Sequence, residues 1–198
     1  MNNHIEETIY MHTITRFSAA ATLAVAALSA SAADTAPAAA PATPSYTARS
    51  ADVESVDGIV AALYDVISGP PGQARDWDRM HSLFMPQGRM MVVSPQKDGS
   101  FKPGLMAVED YIARNGKRLV ADGFFETEKA RTTESFGQLT HVFSTYEARL
   151  GSPAAAPFAR GINSIQLYHD GKRWWIASVV WRSEDDKLKL PERYLQTR

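Results

Sequence analysis

Residues 159–181 read ARGINSIQLYHDGKRWWIASVVW. Two segments rich in β-branched and aromatic residues, Arg160 to His169 and Trp174 to Arg182, flank Asp170-Gly171, a strong two-residue hairpin signal. A two-residue turn there pairs Tyr168 with Arg173, Leu167 with Trp174, Ile165 with Ile176, Asn163 with Ser178 and Arg160 with Trp181. One sheet face then carries Gly161, Asn163, Ile165, Leu167, Trp174, Ile176, Ser178 and Val180. The other carries Arg160, Ile162, Ser164, Gln166, Tyr168, Trp175, Ala177, Val179 and Trp181.

Upstream, Phe124 to Phe136 and Leu139 to Leu150 have the same β character. The second alternates Val142, Ser144, Tyr146 and Ala148 against His141, Phe143, Thr145, Glu147 and Arg149. If Glu147 lies opposite Arg160, the Tyr146 set joins the Asn163 face. Further upstream the period changes to helical. Val53, Val56, Val60, Leu63, Tyr64 and Ile67 mark a helix over 52–67, ended by Gly69-Pro70-Pro71-Gly72. Asp76 caps a second helix with the stripe Trp77, Met80, Leu83 and Phe84, stopped by Pro86 and Gly88. Arg89 to Val93 reads as a strand, Lys97-Asp98-Gly99 as a turn, and Val108 to Ala113 as a third helix ending near Asn115-Gly116. Helices followed by a meander of long strands mean α+β, with N-terminal helices packed on a curved antiparallel sheet.

The register proposes a cavity between sheet and helices. Its candidate lining is Tyr64, Trp77, Ser144, Tyr146, Asn163, Trp174 and Ser178, apolar with a few hydrogen-bonding groups, as small-molecule pockets are. The opposite face would carry Phe143, Glu147, Arg160, Gln166, Trp175 and Trp181. Tryptophans beside arginine make an interface composition, so that face predicts a homodimer. The competing expectation is that Leu188 to Leu195 folds back over it.

The chain's 198 residues are 44% hydrophobic and carry a net charge of −1, which suits one folded domain and not a nucleic-acid binder. It has no cysteine, so thiolate metal sites and cysteine nucleophiles are excluded. Residues 11–32, MHTITRFSAAATLAVAALSASA, have the order of a secretory signal peptide: His12 and Arg16, an apolar run, then Ala30-Ser31-Ala32. Cleavage is expected after Ala32, with Met11 as the true start and a periplasmic or secreted product that has no membrane segment once processed. Residues 33–50 read as an Ala/Pro-rich linker, leaving 51–198 as the domain.

No metal-ligand spacing, Gly-rich phosphate loop or nucleophile elbow is found, and no cofactor is expected. His81, His141 and His169 have no partner legible in the sequence.

The helix-then-meander order, the run 159–181 and the ending Pro191 to Leu195 resemble the nuclear transport factor 2-like superfamily with its SnoaL-like members, over about 52–195. The resemblance implies a cone-shaped half-barrel with an apolar cavity, often dimeric through the outer sheet face. The superfamily holds ketosteroid isomerases, dehydratases, epoxide hydrolases, cyclases and non-enzymatic binding modules. An isomerase would want a carboxylate on the strand after the second helix and a tyrosine on the first. Tyr64 fits the latter, but Arg89 to Val93 holds no acid. An exported domain that binds a small apolar or aromatic molecule without covalent chemistry is therefore the first expectation. The alternatives are an isomerase, dehydratase or cyclase using Tyr64, Tyr146 or His141, and a dimeric protein-interaction module. A buried acid or histidine facing the cavity would favour the enzyme.

Overall fold

The computed structural model describes residues 45–196. The signal-like segment and the linker up to residue 44 lie outside the described residues. The described end of that linker touches the domain: Tyr46 stacks on His81 at 4.5 Å, and Arg49 donates to Asp76 at 2.7 Å.

The helix expected over 52–67 forms as two pieces, α1 (Ser50–Val53) and α2 (Val56–Ile67). Ser55 separates them. Its backbone is extended, and its Oγ accepts from the Gly58 N–H at 2.9 Å, so it caps α2. Ile59, Val60, Leu63, Tyr64 and Ile67 are then buried along one side of α2. Asp76 caps α3 (Trp77–Leu83), accepting from the Arg79 N–H at 2.9 Å. Arg79 forks onto Asp52 at 2.7 and 2.9 Å and reaches Asp65 at 2.5 Å, so one guanidinium joins α1, α2 and α3.

Phe84, expected in a helical stripe, instead opens β1 (Phe84–Pro95). Pro86 and Gly88 do not stop this element; they lie where its pairing with the last strand shifts register, a place that tolerates a missing N–H. An edge strand the sequence pattern did not reveal, β2 (Phe101–Met106), pairs with β1. The third helix also exceeds its expected bounds: α4 spans Val108–Asp122 and ends at Gly123 with φ 67°. Gly116 stays helical because the Trp77 ring fills the space beside it, with Cζ2 3.2 Å from where a Cβ would stand.

The sheet order is β2-β1-β6-β5-β4-β3, with β3 (Phe124–Phe136), β4 (Leu139–Leu150), β5 (Ala159–His169) and β6 (Trp174–Ser183) forming the expected antiparallel meander and β1 running parallel to β6. The sheet is curved and does not close, so the class is α+β. Between it and the helices lies the core, in which Ile59, Leu83, Val142, Ile165, Leu167 and Ile176 are fully buried. Each contributes roughly 2–3 kcal/mol of burial.

Two register features differ from expectation. First, the β5–β6 turn has four residues. The Asp170 carboxylate accepts from the N–H groups of Lys172 (2.8 Å) and Arg173 (2.9 Å) and from Trp175 Nε1 (2.8 Å), while Gly171 takes φ 94°. His169 therefore faces Trp174, and Leu167 faces Ile176. Second, β6 bulges at Ala177, so that Gln166 faces Ser178, Ile165 faces Val179 and Asn163 faces Trp181. One extra residue exchanges the faces of everything beyond it. Trp181, assigned to the outer face, points inward and packs edge-on against Tyr111 at 6.3 Å. Ser178, assigned to the cavity, sits beside Gln166 on the outer side.

The outer face differs in a further respect. Phe143 is covered by Tyr194 (ring centroids 5.1 Å), and Thr145 Oγ1 donates to the Tyr194 carbonyl at 2.5 Å. Part of the C-terminal segment does fold back, around a single 3-10 turn at Glu192–Tyr194. Trp175 remains outward under Arg173, whose guanidinium carbon lies 3.7 Å from the ring centroid. Glu147 does face Arg160, but their ion pairs run elsewhere, Glu147 to Arg149 at 2.5 Å and Arg160 to Glu184 at 3.0 Å.

Candidate functional site

A cavity of about 200 Å³ opens between α2, α4 and the inner face of the sheet. Leu63, Ile67, Met90, Leu119, Phe124, Val179 and Trp181 make it apolar; Tyr111, Asn115, Glu126, Tyr146 and Asn163 add its polar groups. Glu126 is the group sequence reasoning missed. It lies on β3, not on the strand after the second helix, and a β-bulge at Lys129 brings it in. From the hairpin end, Phe136 faces Leu139 and Ala130 faces Thr145; past Lys129 the pairing shifts, and Glu126 faces Ala148. Without the extra residue Glu126 would stand opposite Arg149, with the outer set. A signal was available in the alternation of Phe124, Glu126 and Glu128 along one strand face, but the bulge has to be known to say which face.

Glu126 Oε1 accepts from Asn163 Nδ2 at 3.0 Å. Oε2 has no protein donor among the described residues, and no polar side-chain atom there is both sealed and unpartnered, so Oε2 faces the cavity. Burial pushes the carboxyl up to about 7, against the lowering effect of the Asn163 hydrogen bond. Among the described residues no cation is paired with it.

Behind Asn163 runs a chain of hydrogen bonds. Its Nδ2 also donates to Tyr64 Oη at 3.1 Å; Tyr64 Oη and Ser144 Oγ are 2.7 Å apart; Ser144 Oγ donates to Glu128 Oε1 at 2.5 Å. Glu128 Oε2 is held by Arg131 at 2.7 and 3.0 Å, and Arg131 reaches Asp57 at 2.9 Å. Tyr146 Oη pairs with Ser183 Oγ at 2.7 Å. The Tyr111 hydroxyl has no hydrogen bond among the described residues and, like Glu126 Oε2, is open to the cavity. Burial raises all three tyrosines, Tyr146 to about 12, so they remain protonated donors at neutral pH.

Of the side chains assigned to the cavity from sequence, Tyr146 and Asn163 line it, and Tyr64 and Ser144 stand directly behind Asn163. Trp77 packs on α4 at Gly116, and Trp174 packs on the core beside His169 at 5.1 Å. Neither reaches this cavity. The histidines lie elsewhere too. His141 Nε2 and Ser164 Oγ are 3.0 Å apart on the outer face, His169 Nδ1 accepts from Gly171, and His81 stacks on Tyr46 with Glu109 3.5 Å away. A larger depression of about 300 Å³ near His81 and Trp175 contains no buried carboxylate. The buried carboxylate belongs to the smaller cavity. Among the described residues no cluster of His, Asp and Glu could hold a metal ion.

Gly161 maintains the Tyr146 position. A Cβ there would stand 2.3 Å from the Arg182 carbonyl oxygen and 2.7 Å from Tyr146 Oη. Gly161→Ala is expected to part β5 from β6 and displace Tyr146, costing about 1–3 kcal/mol in urea denaturation. An unchanged midpoint would show that the strands yield without cost.

The fold is α+β and of the cystatin-like kind, with helices packed on a curved, unclosed sheet. A cystatin-like protein of unknown function from Nostoc punctiforme is similar in structure with a TM-score of 0.50, at 7% identity, over 66% of this chain and 90% of its own. An NTF2-like protein of unknown function from Silicibacter pomeroyi gives 0.44 at 14% identity, over 65% and 92%. A protein provisionally described as a ketosteroid isomerase, from Shewanella frigidimarina, gives 0.44 at 15% identity, over 65% and 96%. No protein-family profile and no curated protein matches the sequence. At these identities the likeness establishes the fold alone.

Proposed function

We propose that the chain is an acid–base enzyme of isomerase or lyase type, moving a proton on a small, neutral, largely apolar carbonyl compound. The observation that carries this is Glu126: a carboxylate oxygen open to an apolar cavity, with no cation paired to it among the described residues, its carboxyl pushed up to about 7 by burial. The ionised Glu126 takes a proton from the carbon next to the carbonyl. The C–H electron pair becomes a C=C bond, and the carbonyl π pair moves onto oxygen, where the Tyr111 hydroxyl donates a hydrogen bond. Return of the proton to another carbon of the enolate isomerises the substrate. Loss of a β leaving group instead completes an elimination.

Size and charge narrow the substrate. The cavity is smaller than the roughly 300–1,000 Å³ of sites for drug-sized ligands, and a carboxylate substrate would meet Glu126 with no compensating cation among the described lining residues. The signal-like order of residues 11–32 supports a periplasmic or secreted setting for this chemistry.

Small cyclic ketones and enones incubated with the protein in D₂O, read by proton NMR, test the proposal. Deuterium entering the α position with wild type and not with Glu126→Gln is expected. Thermal stabilisation by the same compounds without any exchange would leave a binding module in place of an enzyme.

A further inference from the structure

The direction of each hydrogen bond in the chain from Asn163 to Glu128 follows from one charge. Glu128 is paired with Arg131, and an ionised carboxylate only accepts, so the single Ser144 proton goes to Glu128. Ser144 then meets Tyr64 as an acceptor, and the single Tyr64 proton goes to Ser144. Tyr64 in turn is an acceptor toward Asn163, so the Asn163 amide must present N–H to it. An amide nitrogen has two protons, and the second points at Glu126 Oε1. Reversing Asn163 would set its carbonyl against both the Tyr64 lone pairs and the Glu126 carboxylate.

We propose that the Glu128–Arg131 ion pair sets the polarity of this chain, and so holds Asn163 with an N–H on Glu126, making Glu128 a positioning residue for the cavity carboxylate. The inference deepens the acid–base reading and rests on it for its functional meaning. Among the described residues, the groups that face Glu126 are Tyr64 from α2, Tyr111 from α4, Tyr146 from β4 and Asn163 from β5, with Glu128 on its own strand. None is a cation.

Glu128→Gln separates this relay from simple electrostatics by sign. Removing a negative charge nearby would by itself lower the Glu126 midpoint. Reversing the chain raises it: the new side-chain amide at position 128 donates to Ser144, Ser144 to Tyr64 and Tyr64 to Asn163, which turns its carbonyl toward Glu126 and favours the protonated acid. Carboxyl ¹³C NMR titration, with Glu126 assigned through Glu126→Gln, is expected to show a rise of one pH unit or more in Glu128→Gln. A fall or no change would overturn the proposal.

A measurement on wild type does not depend on that variant's folding. The Asn163 side-chain amide protons should be protected from exchange, one of them shifting with the Glu126 titration. Freely exchanging protons that ignore that titration would also overturn it. A wild-type Glu126 midpoint near 4.5 would instead remove the general-base reading, while the sign of the Glu128→Gln shift would still decide the relay.

Discussion

Glu126→Gln is expected to reduce proton transfer by about 10²–10⁴-fold, the contribution of a positioned general base. The substitution is close to isosteric. The glutamine amide still offers an oxygen to Asn163, so cavity shape and ligand affinity should be kept while turnover falls. The same variant is expected to be more stable than wild type in alkali. A carboxyl raised from 4.5 to about 7 by burial is harder to ionise folded than unfolded. Wild type therefore loses stability as pH rises through that window and carries the full cost above it, roughly 3 kcal/mol. The neutral amide carries no such cost. The variant's advantage in denaturant unfolding should be largest near pH 8.5 and vanish near pH 4. An inactive variant with no stability gain would mean that the Glu126 carboxylate is well solvated.

The second large effect concerns Arg75. Its guanidinium is buried and among the described residues has no carboxylate partner. It donates instead to four carbonyls: Ile67 at the end of α2 (3.0 Å), Gly69 (2.7 Å), Gln73 (2.5 Å) and Leu119 in the last turns of α4 (2.9 Å). One cation thus satisfies carbonyls at the C-terminal ends of two helices, where the helix dipoles favour positive charge. Those two ends form the floor of the cavity through Ile67 and Leu119. Arg75→Leu leaves several buried acceptors unpaired and is expected to cost about 3–5 kcal/mol. For a domain of this size that is roughly a 10 °C fall in melting temperature. Arg75→Lys should recover part of it, since an ammonium cannot span four carbonyls in a plane. A melting temperature unchanged in Arg75→Leu would mean that water replaces the guanidinium.

Much of the architecture was legible in local pattern. The helical stripes, the four long strands and the opposition of Glu147 to Arg160 follow from periodicity and turn chemistry. Three kinds of information were not local. The Asp170-Gly171 turn gains two residues because the Asp170 carboxylate collects donors from Lys172, Arg173 and Trp175, a closure that depends on the folded hairpin. Helix α4 outruns its Asn115-Gly116 stop because Trp77 packs against Gly116 from a different helix. The two bulges matter most for the cavity. Lys129 and Ala177 sit in strongly β-forming sequence with nothing in their own side chains to mark an inserted residue, yet each exchanges the faces of the strand beyond it. The bulge at Lys129 turns Glu126 from the Arg149 side into the cavity, and the one at Ala177 turns Trp181 from the outer face onto Tyr111. A strict two-residue alternation therefore hid the acid and misassigned one wall of the site.

The proposed function depends on the protonation of one carboxyl group. The most direct measurement is the ¹³C NMR titration of Glu126 in the wild-type protein. A midpoint near 7 is expected, displaced when a neutral ketone fills the cavity. A midpoint in the ordinary carboxylate range near 4.5, indifferent to ligand, would contradict Glu126 as the base of this site.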